Sequence, residues 1–190
     1  MQTALQNLAD IEVRGQTIHI FLSVAQNFVP LTSKLLAKHG IPKVDPAKWY
    51  PATTFLKVCE DIRDQMGEST LFAIGKKIPE RVVWPPDITT IEAVLPSIDV
   101  AYHMNHRIRG EIMFDPQTGV MKEGIGHYRC VSVEKRRAVL VCDNPYPSEF
   151  DCGIITATAR KFRSAADVTL DPSQPTRRSG GASCTYIVTW

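Results

Sequence analysis

The hydrophobic period of this chain changes once, near Gly110, and that change limits the folds open to it. Before it, apolar residues recur at the three-and-four spacing of amphipathic helices. After it they alternate in short runs suited to strands. From Gln16 to His39 the helical face is Ile18, Leu22, Ala25, Val29, Leu31, Leu35 and Leu36, with Gly40 placed to end it. Pro30 is expected to kink or split this helix. Further helices are expected from Thr54 to Met66 (closed by Gly67), from Ser69 to about Ile78, and from Ile88 to about Arg107. Asp87 or Thr89 would cap the last of these, and Pro96 interrupts it.

In the second half, Glu111 to Phe114 and Gly119 to Met121 read as short extended pieces about an Asp115–Gly119 turn. Strands follow from His127 to Val133 and from Ala138 to Cys142, joined by the charged loop Glu134–Arg137. Ser148 is expected to cap a helix from Glu149 to Phe162. A strand from Val168 to Leu170, a polar loop and a strand from Ser183 to Trp190 complete the order. Helices first and antiparallel strands afterwards define the α+β class. The expected architecture is an N-terminal helical layer packed on a small antiparallel sheet with a C-terminal β-β-α-β-β arrangement. Residues 1–190 would form a single domain, 1–66 its helical N-terminal part and 67–190 its ligand-binding core.

Charge and cysteine usage exclude several function classes. A formal charge of +2 over 190 residues provides no basic stripe for nucleic acid. No apolar run reaches the ~20 residues that span a bilayer, and the first residues show no secretory pattern. Cys59, Cys130, Cys142, Cys152 and Cys184 are dispersed without a Cys-x-x-Cys pair. That pattern suits reduced thiols in the cytoplasm. No phosphate-loop, nucleophile-elbow or His-Glu-x-x-His motif is present, so the chain carries no readable catalytic motif.

The densest chemistry lies in Tyr102-His103-Met104-Asn105-His106-Arg107. His103 and His106 are three apart, so on a helix they share a face, and neutral imidazole ligates haem iron and zinc. The same two residues could instead cap free carbonyls at a helix end. Arg107 or Arg109 could receive an acidic group of a ligand bidentately. His127 opens a strand and faces either the same cavity or solvent. Asn144, Tyr146 and Asp151 lie at the rim of any cavity between sheet and helix, or in a turn locked by Pro145 and Pro147.

The ending Gly180-Gly181-Ala182-Ser183-Cys184-Thr185-Tyr186-Ile187-Val188-Thr189-Trp190 resembles the close of vinyl-reductase-type small-molecule-binding domains. The segment from Phe150 through Gly153 to Phe162 resembles the helix shared by those domains and the haem nitric-oxide/oxygen-binding (H-NOX) domains. The resemblance, over roughly residues 67–190, is to the superfamily that joins these two groups with trafficking-complex subunits.

This resemblance implies a haem or small-molecule sensor. His103 would be the position-matched axial ligand and His106 the alternative, with Tyr102, Arg107, His127 and Tyr146 about the cofactor. Pro145-Tyr146-Pro147-Ser148-Glu149 stands where H-NOX domains carry their Tyr-x-Ser-x-Arg propionate motif, and its arginine is missing. The resemblance also implies a zinc site drawing on Cys142, Cys152 and Cys184, with His103 as a further metal candidate. Thr176 stands where the zinc-binding relatives carry another cysteine. A separate signalling protein, and a second copy of the chain through the first helix, are the implied partners. A tetrapyrrole-related enzyme using Tyr102, His103 and His106, or a ligand-free assembly subunit, are the alternatives.

Overall fold

A computed structural model describes residues 8–24 and 29–190. The first strand, β1 (Ile11–Arg14), leads directly into α1 (Gly15–Val24), and α2 (Val29–Lys38) follows. Pro30 sits in the first turn of α2, where its missing N–H forfeits no helical bond. The expected marker Ala25, and the side chains of Val29 and Leu31, lie outside the described residues. Next come β2 (Trp49–Pro51), α3 (Ala52–Met66) and α4 (Glu68–Lys77), the two helices separated by Gly67 at φ 82°.

Helix α5 (Ile91–Met104) starts three residues later than expected. Thr90, not Asp87 or Thr89, caps it by accepting from the Ala93 N–H at 3.2 Å. Pro96 does not interrupt it, because the bond it forfeits is to the carbonyl of exposed Glu92, near the helix start. The helix also ends earlier than expected, at Met104. His106 and Arg107 belong to β3 (His106–Ile108), which precedes β4 (Glu111–Ile112).

The remaining elements are β5 (Tyr128–Glu134), β6 (Arg137–Cys142), α6 (Ser148–Phe162), β7 (Asp167–Leu170) and β8 (Cys184–Thr189). This is the expected β-β-α-β-β arrangement, forming an antiparallel sheet of order β5-β6-β8-β7. Cys184, Tyr186 and Val188 are buried on one face of β8, as the alternation predicts. Ser148 does not cap α6. Pro147 is the cap residue, and the Ser148 hydroxyl lies 3.2 Å from Cys184 Sγ.

A second antiparallel sheet, β2-β1-β3-β4, was not expected from the sequence. β1, β2 and β3 lie far apart in the chain, so no local hairpin signal marks their pairing, whereas β3 and β4 are joined by the two-residue turn Arg109-Gly110, both at positive φ. β1 pairs with β3 in the register Val13↔His106 and Glu12↔Arg107. The buried residues form one continuous core, reaching from Ile11 and Phe55 through Leu95 to Ile155 and Tyr186.

Backbone approaches backbone closely where α4 crosses α6. A Cβ added at Gly75 would lie 2.2 Å from the Phe150 carbonyl oxygen, and one at Gly153 would lie 2.3 Å from that of Phe72. Both neighbours are backbone atoms, so α4 and α6 would have to move apart. Gly153→Ala is therefore expected to destabilise the protein by about 3 kcal/mol, the upper end for overpacking. Urea unfolding at fixed pH measures it, and a loss below ~1 kcal/mol would show that the helices part freely.

Candidate functional site

Helices α1, α3, α5 and α6, together with residues 78–84, enclose a cavity of about 260 Å3. Its body is apolar, lined by Ile20, Phe55, Ile98, Phe150 and Ile154. Tyr102, His106, Tyr128 and Tyr146 form a polar wall, but their polar atoms are turned to one another, to backbone or to Asp151. Tyr102 donates to the Ile125 carbonyl at 2.9 Å. His106 Nδ1 faces the Tyr102 carbonyl at 2.7 Å, so that nitrogen carries the proton. Nε2 then accepts from the Tyr146 hydroxyl at 2.8 Å. Burial pulls the His106 pKa down to about 4, keeping the ring neutral.

Two polar atoms on the cavity wall are different. Trp84 Nε1 and Thr158 Oγ1 are buried with no hydrogen-bond partner. Arg81 also lines the cavity, is exposed, and makes no ion pair among the described residues. None of these three stands out as a site residue in the sequence. A hydroxyl on an inward helix face gives no sign of whether it is satisfied.

The other expected site residues are dispersed. His103 is fully buried but points away from the cavity. Its Nδ1 lies 2.8 Å from the Asp99 carbonyl, so Nδ1 is protonated there, and Nε2 has no partner. His127 stacks beside it with ring centroids 4.8 Å apart. Its Nδ1 lies 2.9 Å from Asp99 Oδ2 and its Nε2 2.8 Å from Glu123 Oε2. Burial lowers the His127 pKa, but the bonds to Glu123 and Asp99 outweigh it and the net shift is upward.

Arg107 sits on β3 in a bidentate pair with Glu12, at 2.5 and 3.0 Å, and over the Trp49 ring at 5.0 Å. Cys142 and Cys184 are register neighbours on adjacent strands, and Cys152 lies on α6. The three cysteines do not converge on one point, and burial raises the pKa of Cys142 and Cys152. Among the described residues, Asp99, His103 and His127 are the group that does converge.

Asn144 and Asp151 serve the protein itself. Asp151 is fully buried and accepts from Tyr128 Oη at 2.5 Å, Asn144 Nδ2 at 3.2 Å and Arg177 Nη2 at 2.5 Å. Arg177 Nη1 also donates to the Asn144 carbonyl. Burial pushes the Asp151 carboxyl up to about 6 against the pull of Arg177.

Comparison with solved structures settles the architecture. An H-NOX protein from S. oneidensis in the Fe(II)NO state superposes with a TM-score of 0.65 at 12% identity, over 92% of this chain and 97% of that one. An unliganded Fe(II) H-NOX variant from K. algicida gives 0.64 at 13% identity, covering 93% and 95%. The solution structure of an H-NOX domain from Shewanella oneidensis in the Fe(II)CO state gives 0.62 at 14%, covering 93% and 97%. The fold is an H-NOX fold. No protein-family model and no curated protein matches the sequence.

The H-NOX structures named here carry iron, so haem must be tested against the residues present. Among the described residues the imidazole on the cavity wall is that of His106, and both its nitrogens are bonded within the protein. His103 faces the opposite side of α5. No imidazole lone pair is therefore directed into the cavity, and the donor set as placed does not fit haem ligation.

His106 makes a pH prediction. Its folded pKa of about 4 lies below the ordinary 6.5, so the unfolded chain binds more protons between those values. Stability from the neutral ring is fully present above pH 6.5 and lost as pH falls toward 4. The stability advantage of wild type over His106→Gln is expected to shrink by roughly 3 kcal/mol across that window. Urea denaturation of both proteins at stepped pH reads the difference directly, and a pH-independent gap would refute a buried neutral ring.

Proposed function

We propose that this H-NOX-fold domain binds a small apolar molecule with an anionic, hydrogen-bonding end, and that a separate protein reads the occupied state. The observation that carries this is the pair of buried, unpartnered polar atoms, Trp84 Nε1 and Thr158 Oγ1, on the wall of one apolar cavity. An unmet buried polar group costs about 1–3 kcal/mol. Two such groups on one cavity are met when a ligand supplies an acceptor to the indole N–H and a partner to the hydroxyl. Arg81 adds a cation with no ion pair among the described residues, which selects a carboxylate-type end over a neutral one.

The cavity, at about 260 Å3, lies just below the ~300–1,000 Å3 typical of small-molecule sites. Its ligand is compact. Four helices contribute to the wall, so occupancy biases their relative positions, which is the kind of change a signalling partner can sense.

The test uses octanoate and octanamide as probes. Octanoate is expected to bind about tenfold more tightly by calorimetry, and Arg81→Gln to remove that preference. Thr158→Val deletes the unmet hydroxyl, so it should stabilise the ligand-free protein by about 1 kcal/mol while weakening octanoate. Haemin is expected to give no Soret band that depends on His103 or His106. A band lost in His106→Ala, or indifference to both fatty probes, would overturn the reading.

A further inference from the structure

Asp99, His103 and His127 form a cluster on the face of α5 opposite the cavity, which the ligand-binding reading does not use. One ligating atom from each lies within 4.8 Å of the others. His103 is 0% exposed, and its Nδ1 proton is committed to the Asp99 carbonyl. That backbone bond fixes the tautomer and leaves a buried lone pair on Nε2 with no donor to meet it. Metal-bound histidines are commonly held in this way, one nitrogen tied to a carbonyl and the other presented to the ion.

The neighbouring groups match. His127 offers a second imidazole, and its two nitrogens are already in contact with carboxylates, Asp99 on one side and Glu123 on the other. Glu123 is 76% exposed, so the cluster opens to solvent on that side and an ion has a way in. Two i, i+4 pairs build the arrangement. Asp99 and His103 lie on one face of α5, and Glu123 and His127 are brought together by the loop ahead of β5.

We propose that Asp99, His103 and His127, with water completing the coordination, bind one zinc-type divalent ion, while Glu123 holds the His127 ring through its Nε2. Two imidazoles and a carboxylate are ordinary zinc donors. Tetrahedral coordination with ~2.1 Å bonds places ligand atoms about 3.4 Å apart. Ligation requires the three side chains to close from within 4.8 Å to that spacing by rotation. The ion displaces the proton that His127 now shares with its carboxylates and takes up the unmet lone pair of His103. This site uses no side chain of the cavity wall and no cysteine.

The experiment uses the full chain without an affinity tag, stripped with chelator and then titrated with Zn2+ in a calorimeter. Co2+ in place of Zn2+ reports the donor atoms through its visible spectrum. One equivalent of Zn2+ is expected to bind at micromolar or tighter affinity, with a Co2+ spectrum of nitrogen and oxygen donors and no thiolate charge-transfer band. His127→Gln is expected to weaken binding at least 10-fold. Glu123→Gln, at an exposed side chain whose loss leaves the core intact, is expected to weaken it severalfold. A Cys142→Ser/Cys184→Ser double variant should bind as wild type. No bound equivalent at about 100 µM Zn2+, equal affinity in His127→Gln and Glu123→Gln, or a thiolate band lost with the cysteines would each overturn the proposal.

Discussion

The second half of this structure is organised about one buried carboxylate. Asp151 projects from α6 into the interior, where an ion without partners would be prohibitive. It is tolerated because three donors reach it from three separate segments. Tyr128 comes from β5, Asn144 from the turn between β6 and α6, and Arg177 from the loop before β8. A buried pair of this kind adds little net stability over a well-packed apolar substitute, but removing one partner leaves the other stranded. Its contribution is therefore to placement. The helix, the sheet edge and the C-terminal loop adopt one mutual arrangement because only that arrangement satisfies the carboxylate.

That arrangement also sets the cavity wall. Tyr128 and Tyr146 flank the Asp151 network, one bonded to it and the other held by the Asn144 side chain, which accepts from the Tyr146 N–H at 2.9 Å. With Tyr146 held, its hydroxyl meets His106, and with His106 met, the cavity presents no free imidazole. The polar atoms left over are on the far walls, at Trp84 and Thr158. The character of the cavity thus follows from how completely the protein satisfies its own groups on one side and fails to on the other.

The C-terminal half was legible because its elements are local. Continuous apolar β6, alternating β8 and the amphipathic α6 each carry their own period, and their order suffices for the sheet. The β2-β1-β3-β4 sheet was not legible, since Val13 finds His106 only after α5 has folded back. For the same reason His106 and Arg107 read as helical when they are strand. The clustering of His103 with His127 was half visible. The Asp99-x-x-x-His103 and Glu123-x-x-x-His127 spacings stand in the sequence, but only the packing of β5 on α5 joins them. Arg107 has the right chemistry for an anion, yet Glu12, unremarkable in sequence, is the group that occupies it. Sequence showed which residues carry reactive groups, whereas the answer at each site turned on which groups remain unmet after folding.

Helix α5 connects the two faces. Ile98 and Tyr102 line the cavity, while Asp99 and His103 turn to the opposite side. Asp99 Oδ1 also accepts from the Tyr128 N–H at 2.8 Å, and Tyr128 is itself a cavity residue bonded to Asp151. A ligand that shifts Tyr102 or Tyr128 therefore moves the carboxylate against His127, and an ion at Asp99 fixes the strand that forms the cavity wall. Binding at the two sites would then be linked, and linkage is reciprocal: whatever factor the apolar ligand imposes on metal affinity, the metal imposes on the ligand. The physical route is short, one helix turn and one backbone hydrogen bond.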